Sequence, residues 1–458
     1  MTEDASYPPT PARYQPLHND LEAGEAPEGQ PELAWQNPTK RRRWDWRTGL
    51  AGLLAGVILG AGAFHSAGTL RGAHEASKAA GDLILLPSER LYNATDLASA
   101  PVRIHYRGED NLNRRDPVLP PDCPVSVVYT IDESSADIVV LNSDSHQGIS
   151  VEELEERQRK RPWQKHAIWG VESAPNRNML ETHFNKLRDG KANETAEYTM
   201  TYRLNSTVPA TYSYSYFNYG NAPVPAKEKR SEKIAAAFIS NCHPKNARTL
   251  ILDELITLLP GKIDSFGSCH SNANADETLR EMGLYDSVGS HNRWNQKITL
   301  IGQYRFTIAF ENSNDLDYAT EKYFQAIERG SVPLVYGPPD YAARFFPSPN
   351  AGIDLADYLP LNYTSQSNSS SKAPSELSSE ATEGIARLAK RLEHLSSAEG
   401  TKEYESMLDW KKDDSWRRDP LNPLGKIVRE STSKWSQDCR LAGVFRGQDW
   451  ATNKWTAP

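Results

Sequence analysis

Between residues 234 and 337 the sequence alternates short apolar runs with helical patterns. The runs are IAAAFISN at 234–241, KIDSFGSC at 262–269, RFTIAFEN at 305–312 and VPLVYG at 332–337. This alternation predicts a parallel, doubly wound sheet, because parallel strands are joined by long crossovers that are usually helices. Sheets of this kind bind ligands in the crevice at the carboxyl ends of their strands.

One such strand end is followed by FENSNDLDYATEKYF at 310–324. The pattern predicts a helix that begins near Tyr318, with Asp317 as its N-cap and Gly330 just past its end. The free N–H groups and the positive dipole end of a helix stabilise an anion, and Lys322 adds a full charge there. The segment is therefore typical of a site for a phosphorylated ligand.

Two further residues narrow the class of ligand. Glu321 is poorly suited to contact a phosphate, but its carboxylate can accept two hydrogen bonds from a ribose diol. Arg248, at the start of an earlier predicted helix, can offer a bidentate fork to a diphosphate. Together they predict a nucleoside diphosphate site. The segment contains no glycine-rich phosphate loop, which disfavours NAD-type and P-loop sites.

The body divides into three parts. Residues 100–225 contain apolar runs between polar stretches and predict an N-terminal α/β domain, whereas 234–400 form the C-terminal one and 401–458 a tail that packs back on the N-terminal domain. The Pro-, Gly- and charge-rich stretch 218–233 predicts an interdomain linker, and the Ser-rich stretch 364–384 a flexible insertion.

The N-terminal region predicts a membrane anchor. Residues 1–47 form a polar tail that ends in KRRRWDWR, and 48–70 contain no Asp, Glu, Lys or Arg. Such a run reaches across a hydrocarbon core of ~30 Å, with the basic cluster on the cytoplasmic side, and 71–99 would form a stem. A cleaved signal peptide is the alternative, but the preceding tail is too long for one.

N-glycosylation sequons agree with this orientation. All five lie after the predicted anchor, at Asn93, Asn193, Asn205, Asn362 and Asn368. They favour a type II protein with a lumenal body, although sequons also occur by chance. The net charge of −8 argues against nucleic acid as a partner, because binding its backbone requires a basic face.

Several segments resemble the α1,3-fucosyltransferase family, and most closely its plant-type members that act on the N-glycan core. They are ISNCHPKNARTLILDEL, IDSFGSCH, YRFTIAFENSNDLDYATEKYFQAIERGSVPLVYGPPD and VESAPN. The resemblance covers residues 100–445 and is dense at 234–350. It implies an α/β protein of the GT-B type, with two Rossmann-like domains facing a cleft behind a single N-terminal transmembrane helix. It also implies a Golgi enzyme that uses GDP-β-L-fucose.

The resemblance assigns roles to the candidate residues around the donor. Arg248 and Lys322 would hold the diphosphate and Glu321 the ribose, while Asn312 and Tyr318 would line the donor site. Those two cations make a metal unnecessary for charge neutralisation. We therefore expect no required cofactor, with a divalent metal at most stimulating the reaction.

The same resemblance makes Glu172, in VESAPN, the general base of an inverting transfer. A carboxylate would activate the attacking hydroxyl on the face opposite the leaving group. The alternative is a surface glutamate after a strand. We expect transfer to a GlcNAc hydroxyl of glycoprotein N-glycans, favouring the core. A Lewis-type enzyme acting on N-acetyllactosamine and a catalytically silent membrane lectin are the alternatives.

Two motifs could suggest a metal. Asp315-Leu-Asp317 is a D-x-D pattern, but Asp317 already has a predicted cap to make, so a structural role is favoured and substitution of Asp315 by Asn should be mild. Cys242-His243 and Cys269-His270 could suggest zinc, yet adjacent residues rarely ligate together.

The four cysteines fit two disulfides in an oxidising compartment. Cys242 and Cys269 end sequence-adjacent predicted strands, which lie ~4.8 Å apart if they are neighbours in the sheet. Cys123 and Cys439 then remain, although the sequence alone leaves the connectivity open. Ala442 occupies a position where the resemblance leads us to expect another cysteine, so one bridge of the tail is expected to be missing.

Overall fold

The computed structural model describes residues 100–447, apart from residues 118, 120–122, 124, 144–148, 215, 289–292 and 432–435 and the side chains of residues 110, 111, 151 and 193. The predicted tail, anchor and stem, at 1–47, 48–70 and 71–99, lie outside this part of the chain, as does Asn93. Within it, no helix combines the length and apolar character needed to cross a membrane.

The N-terminal half of the described chain contains a five-stranded parallel sheet in the order β2-β1-β3-β4-β5. Its strands are β1 (Val102–Arg107), β2 (Val127–Tyr129), β3 (Ile138–Asn142), β4 (Lys165–Gly170) and β5 (Tyr198–Thr201). Its helices are α1 (Asp110–Asn113), α2 (Val151–Lys160) and α3 (Asn178–Arg188). The central strand β3 is buried along its whole length, as is usual for a parallel sheet covered on both faces.

A second five-stranded parallel sheet follows, in the order β10-β9-β8-β6-β7. Its strands are β6 (Ala235–Ala237), β7 (Ile263–Ser265), β8 (Phe306–Phe310), β9 (Val332–Tyr336) and β10 (Ile353–Asp354). The helices between them are α4 (Arg248–Leu258), α5 (Ala275–Glu281), α6 (Tyr285–Val288), α7 (Arg293–Gln303), α8 (Glu321–Glu328) and α9 (Tyr341–Phe345). The α/β class and the parallel sheet predicted from the alternating runs are therefore confirmed.

Helices of the C-terminal region complete both halves. They are α10 (Leu361–Thr364), α11 (Ser379–Ser396), α12 (Thr401–Ser406), α13 (Ser415–Arg418), α14 (Pro423–Ser431) and α15 (Gln437–Phe445). Tyr404 and Met407 pack into the core of the second sheet, whereas Leu441 and Ala442 of α15 pack into the core of the first. The chain thus returns to its N-terminal half at its end.

Both cysteine pairs are disulfide-bonded in the structure. Cys123 joins Cys439, which fixes α15 to the first sheet across 316 residues of sequence, and Cys242 joins Cys269. Ala442 is completely buried against the first sheet, so a small apolar side chain fills that position.

Two segments predicted to be an interdomain linker and a flexible insertion are both packed against the folded body. In the linker, which lies between β5 and β6, the buried Lys229 donates its ammonium protons to the carbonyls of Gly302, Tyr304 and Gly330 at 2.8–3.1 Å. In the Ser-rich stretch, Ser367 is buried and its backbone N–H donates to the carbonyl of Asn314 at 2.6 Å. The prediction of a flexible insertion was wrong, because long-range hydrogen bonds order a segment whose composition is polar.

Candidate active site

The carboxyl ends of the two sheets face each other, and Glu172 lies where they meet. It follows β4 by two residues, and its Oε1 atom accepts hydrogen bonds from the Tyr318 hydroxyl and the Ser173 N–H, both at 2.7 Å. The Asn176 and Asn312 amides donate to the same oxygen at 3.3 and 3.4 Å. Glu172 is therefore held across the two halves and is not the surface glutamate of the alternative reading.

Asn312 and Tyr318 were expected to line the donor site, and the structure places both against Glu172. Tyr318 is buried, and its ring meets that of Tyr202 edge-on with centroids 5.1 Å apart. Burial, followed by the Glu172 carboxylate, raises the pKa of Tyr318 well above its usual value. The hydroxyl consequently stays protonated and donates to Glu172 throughout the physiological pH range.

A second cluster surrounds the start of α8. The Lys322 ammonium lies 3.4 Å from Glu321 Oε1 and 3.6 Å from Glu311 Oε2, and it donates to the Thr320 hydroxyl at 3.1 Å. Lys297 of α7 approaches the same Glu321 Oε1 atom at 3.4 Å. Glu321 and Lys322, both singled out from the sequence, are thus brought together as one ion-paired group.

Arg248 adds a second cation to this cluster. It begins α4, is 2% exposed, and donates to the carbonyl oxygens of Asn241 and Phe310 at 2.5 and 3.4 Å. Burial lowers the pKa of Lys322 and the positive charge of Arg248 acts in the same direction, but the Glu321 and Glu311 carboxylates outweigh them and raise it. Lys322 is therefore charged, and an anion beside it would be stabilised.

Glu311 is a member of this cluster to which the sequence analysis gave no role. It directly follows β8, is fully buried, and accepts hydrogen bonds from the N–H and hydroxyl of Thr320 at 2.8–3.0 Å. Burial raises its pKa to about 7, although Lys322 opposes the shift. A charged residue directly after a strand that is apolar except for Thr307 was the signal available in the sequence.

Gly337, after β9, is fitted to this glutamate. A Cβ atom at Gly337 would lie 2.8 Å from Cγ and 2.9 Å from Cβ of Glu311. These distances are shorter than real Cβ atoms show, so a larger residue would displace Glu311 from Thr320 and Lys322.

The prediction that Asp317 caps a helix beginning near Tyr318 was wrong. The helix begins at Glu321 and is capped by Thr320, whose hydroxyl accepts from the Lys322 N–H at 3.5 Å. Asp317 instead has a left-handed φ of 64°, pairs with Arg344, and accepts from the Leu204 N–H at 3.0 Å. Its carboxylate is used to join the two halves, so it is not available at the helix end.

Asp315, the other member of the D-x-D motif, is fully buried between the halves. Its carboxylate pairs with Arg203 at 2.6 Å and accepts from the Tyr202 hydroxyl, the Ala174 N–H at 3.1 Å and the Gln366 amide at 3.0 Å. Burial raises the pKa of Asp315, and Arg203 opposes that rise. We call Asp315 with Arg203 and Tyr202 the interdomain clamp.

No group of three or more His, Cys, Asp or Glu side chains that could hold a metal ion occurs within the described ranges. The cysteines of the two Cys-His pairs are bonded to each other, which leaves no thiolate there for zinc. Of the sequon asparagines, Asn205, Asn362 and Asn368 are exposed, and the Asn193 side chain is outside the description.

Comparison with known proteins identifies the part of the chain that carries Arg248, Glu311 and the Glu321–Lys322 pair. Residues 227–367 match the family model of the glycosyltransferase family 10 (fucosyltransferase) C-terminal domain. This segment is similar to a family 10 fucosyltransferase domain. The cluster around the start of α8 lies inside it, whereas Glu172 and the residues of the clamp from the first sheet lie outside it.

Several proteins resemble this chain over part of their length. A putative fucosyltransferase-like protein of Arabidopsis thaliana is 40% identical over 141 residues, which are 31% of this chain and 23% of that protein. Human GDP-fucose protein O-fucosyltransferase 3 is 28% identical over 48% of this chain and 42% of its own. Human alpha-(1,3)-fucosyltransferase 7 is 25% identical over 45% of this chain and 50% of its own. The chain therefore matches no more than half the length of these relatives.

The structural similarity to a crystal structure of an alpha1,3-fucosyltransferase with GDP extends over 70% of this chain and 84% of that chain. The TM-score is 0.33 at 15% sequence identity, which is too low for this likeness to support an argument.

We predict that replacing Asp315 by Asn destabilises the protein, contrary to the mild effect expected from the sequence. The Arg203 guanidinium would remain buried without its carboxylate, at a cost of about 3–5 kcal/mol in the free energy of unfolding. Asp409→Asn is the matched control, because Asp409 pairs with Lys412 on an exposed helical turn, 53% and 76% accessible, respectively. Its effect on urea unfolding should be small, as for other exposed pairs.

If the D-x-D motif were a metal site, the outcome would differ. The wild type would then lose its activity in EDTA and regain it with manganese. Asp315→Asn would unfold like the wild type but would lack this activity. That result would remove the structural role of Asp315.

We also predict a pH-dependent effect of Glu311→Gln. Because the folded-state pKa of Glu311 is raised to about 7 from 4.5, the folded protein holds this proton more tightly than the unfolded chain. The wild type therefore loses stability as pH rises from about 4.5 to 7, by about 3 kcal/mol at most. Glu311→Gln does not titrate, so it should gain stability relative to the wild type over this interval.

Thermal unfolding at pH 5 and pH 8 measures this difference. The control is Glu399→Gln, at an exposed position, whose difference from the wild type should be the same at both pH values. If the difference in thermal stability between Glu311→Gln and the wild type stays constant between pH 5 and pH 8, Glu311 is ionised throughout that range.

Proposed function

We propose that this chain is an inverting GDP-fucose-dependent fucosyltransferase of the GT-B type that forms an α1,3 linkage on a GlcNAc hydroxyl of glycoprotein N-glycans. The observation that carries this proposal is the position of Glu172 beside a family 10 domain that contributes Arg248 and Lys322. Glu172 accepts hydrogen bonds from residues that follow strands of both parallel sheets. The lectin alternative gives no reason for a carboxylate oriented by residues of both halves.

The donor would bind on the side of the second sheet. Arg248 and Lys322 would neutralise the diphosphate of GDP, whose negative charge grows as the bond to fucose breaks. Glu321, held between Lys297 and Lys322, would accept hydrogen bonds from the ribose hydroxyls. These fixed cations supply the charge stabilisation for which other glycosyltransferases use a metal, so no cofactor is required and a divalent ion would at most stimulate.

Glu172 would act as the general base. All four hydrogen bonds that it accepts from described residues go to Oε1, and none of those residues donates to Oε2. Oε2 would take the proton of the acceptor hydroxyl while the hydroxyl oxygen bonds to C1 of fucose. The bond from C1 to the diphosphate oxygen breaks on the opposite face, which inverts the configuration.

Two classes of acceptor are considered for this transfer, a core GlcNAc and a protein hydroxyl. A core GlcNAc is favoured by the resemblance to plant-type enzymes. A protein hydroxyl is the second candidate, because the matches to proteins named GDP-fucose protein O-fucosyltransferase 3 extend over 48% of the chain, against 31% for the plant relative. We further propose that residues 48–70 anchor the protein in the Golgi membrane with the catalytic body in the lumen.

A transfer assay with the full-length, detergent-solubilised protein tests the proposal. GDP-fucose would be offered with an N-glycan glycopeptide, N-acetyllactosamine and an unglycosylated folded domain, and the linkage of any added fucose would be located by NMR. Fucose on the core GlcNAc supports the favoured acceptor. Absence of transfer to all three, together with no rise in melting temperature in millimolar GDP, would refute the proposed function.

We predict that the two carboxylates separate kinetically. Glu172→Gln should lower kcat by about 10²-fold or more and leave GDP affinity nearly unchanged, because a general base acts only as the hydroxyl is deprotonated. Glu321→Gln should instead weaken GDP binding, because the amide gives up one acceptor facing the ribose. Calorimetry of GDP binding beside fucose-transfer kinetics measures both effects. Normal turnover by Glu172→Gln at saturating donor would place the base elsewhere.

A further inference from the structure

A run of aromatic residues, TYSYSYFNY at 211–219, lies between β5 and the second sheet and takes no part in the reaction described above. We call Tyr212, Tyr214 and Tyr216 the tyrosine stripe. Their rings form a continuous series, with centroids 6.3 Å apart between Tyr212 and Tyr214 and 5.4 Å apart between Tyr214 and Tyr216. The second pair is stacked, with an angle of 18° between the ring planes.

The inner end of the tyrosine stripe is fixed to the site of the general base. The Tyr212 hydroxyl donates to the carbonyl of Val171, the residue before Glu172, at 2.9 Å. The Tyr212 ring also meets Tyr318 edge-on at 6.4 Å, and Tyr318 donates to Glu172. The stripe therefore starts on the side of the cleft where the acceptor hydroxyl would be deprotonated.

Exposure increases along the tyrosine stripe. Tyr212 is 6% exposed, Tyr214 is half-buried and Tyr216 is 55% exposed. Burial, followed by the charge of Glu321, raises the pKa of Tyr214. The tyrosine stripe runs from the side of Glu172 to solvent.

Packing alone accounts for the neighbouring rings but not for Tyr216. Phe217 and Tyr219 are buried in the core, and Tyr219 meets Trp416 edge-on at 6.2 Å. A large aromatic ring that is more than half exposed and stacked on a second ring buries little area for its size. Aromatic rings with one accessible face are a common contact for apolar surfaces of ligands, and a pyranose ring presents such a surface through its C–H groups.

We propose that Tyr214 and Tyr216 form a stacking platform for the sugar that neighbours the acceptor GlcNAc. This inference rests on the proposed function and names its acceptor class: an oligosaccharide of at least two residues, bound along the tyrosine stripe. The sugar that receives fucose lies at the inner end beside Glu172, and the next sugar lies against the stacked pair. A protein hydroxyl acceptor would have no sugar to place there.

The test compares acceptors of different length in variants of the full-length protein. Tyr216→Ala and Tyr214→Ala should each raise the KM for an N-glycan glycopeptide by roughly three- to tenfold, the range that aromatic contacts give. The KM for a methyl glycoside of GlcNAc, which has no neighbouring sugar, should stay unchanged. Tyr216→Phe keeps the ring and should behave like the wild type on both acceptors.

Tyr358→Ala is the matched control, because Tyr358 is also half-buried but lies after β10, on the far edge of the second sheet. It should leave both KM values unchanged. GDP affinity, measured by calorimetry, should be the same in Tyr216→Ala as in the wild type. Since Tyr216 is more than half exposed, its truncation leaves the fold intact even if Tyr214→Ala does not.

The outcomes separate this inference from the proposed function. If the wild type transfers no fucose, the proposed function fails. If the wild type transfers fucose but Tyr216→Ala has the wild-type KM for the glycopeptide, the platform is refuted. It is also refuted if the methyl glycoside is affected equally, or if GDP affinity falls instead, since the ring would then contact the donor base.

Discussion

The buried carboxylate of Asp315 joins the two halves of the protein, and the geometry of the cleft depends on it. It comes from the loop after β8, and its partners Arg203 and Tyr202 come from the chain directly after β5. The Ala174 N–H reaches the same carboxylate. Burying such a pair costs solvation free energy, but it holds in one defined arrangement two sheets that could otherwise slide against each other.

This arrangement also fixes the position of Glu172. Ala174 is only two residues from Glu172, so the clamp fixes the turn that carries Glu172, and the Ser173 hydroxyl accepts from Ser313 at 2.7 Å beside it. The two sides of the cleft differ in charge. Glu172 is held by neutral donors, whereas Glu321 is paired with Lys297 and Lys322. This segregation suits a transfer in which a proton is accepted on one side and a negative charge leaves on the other.

The sequence was sufficient for features that depend on local pattern. The apolar runs predicted four of the five strands of the second sheet, all but β10, and Gly330 has the left-handed φ of 69° expected just past the end of α8. Features that depend on distant partners were missed. Asp317 has the residue type of an N-cap, but its carboxylate is taken by Arg344, and nothing in the local sequence records that pairing. The Ser-rich stretch was misjudged for the same reason, since polar composition does not show where hydrogen bonds close over long range.

The bond between Cys123 and Cys439 makes the folded body a closed covalent loop of more than three hundred residues. The first sheet receives its covering helix, α15, only after the entire second half has been synthesised. During translation the apolar face that will hold Leu441 and Ala442 therefore stays uncovered. The N-terminal domain is thus the first to be synthesised and the last to be completed. A premature stop even a few residues before α15 would remove both the covering helix and its covalent fastening, and the damage would appear at the opposite end of the chain.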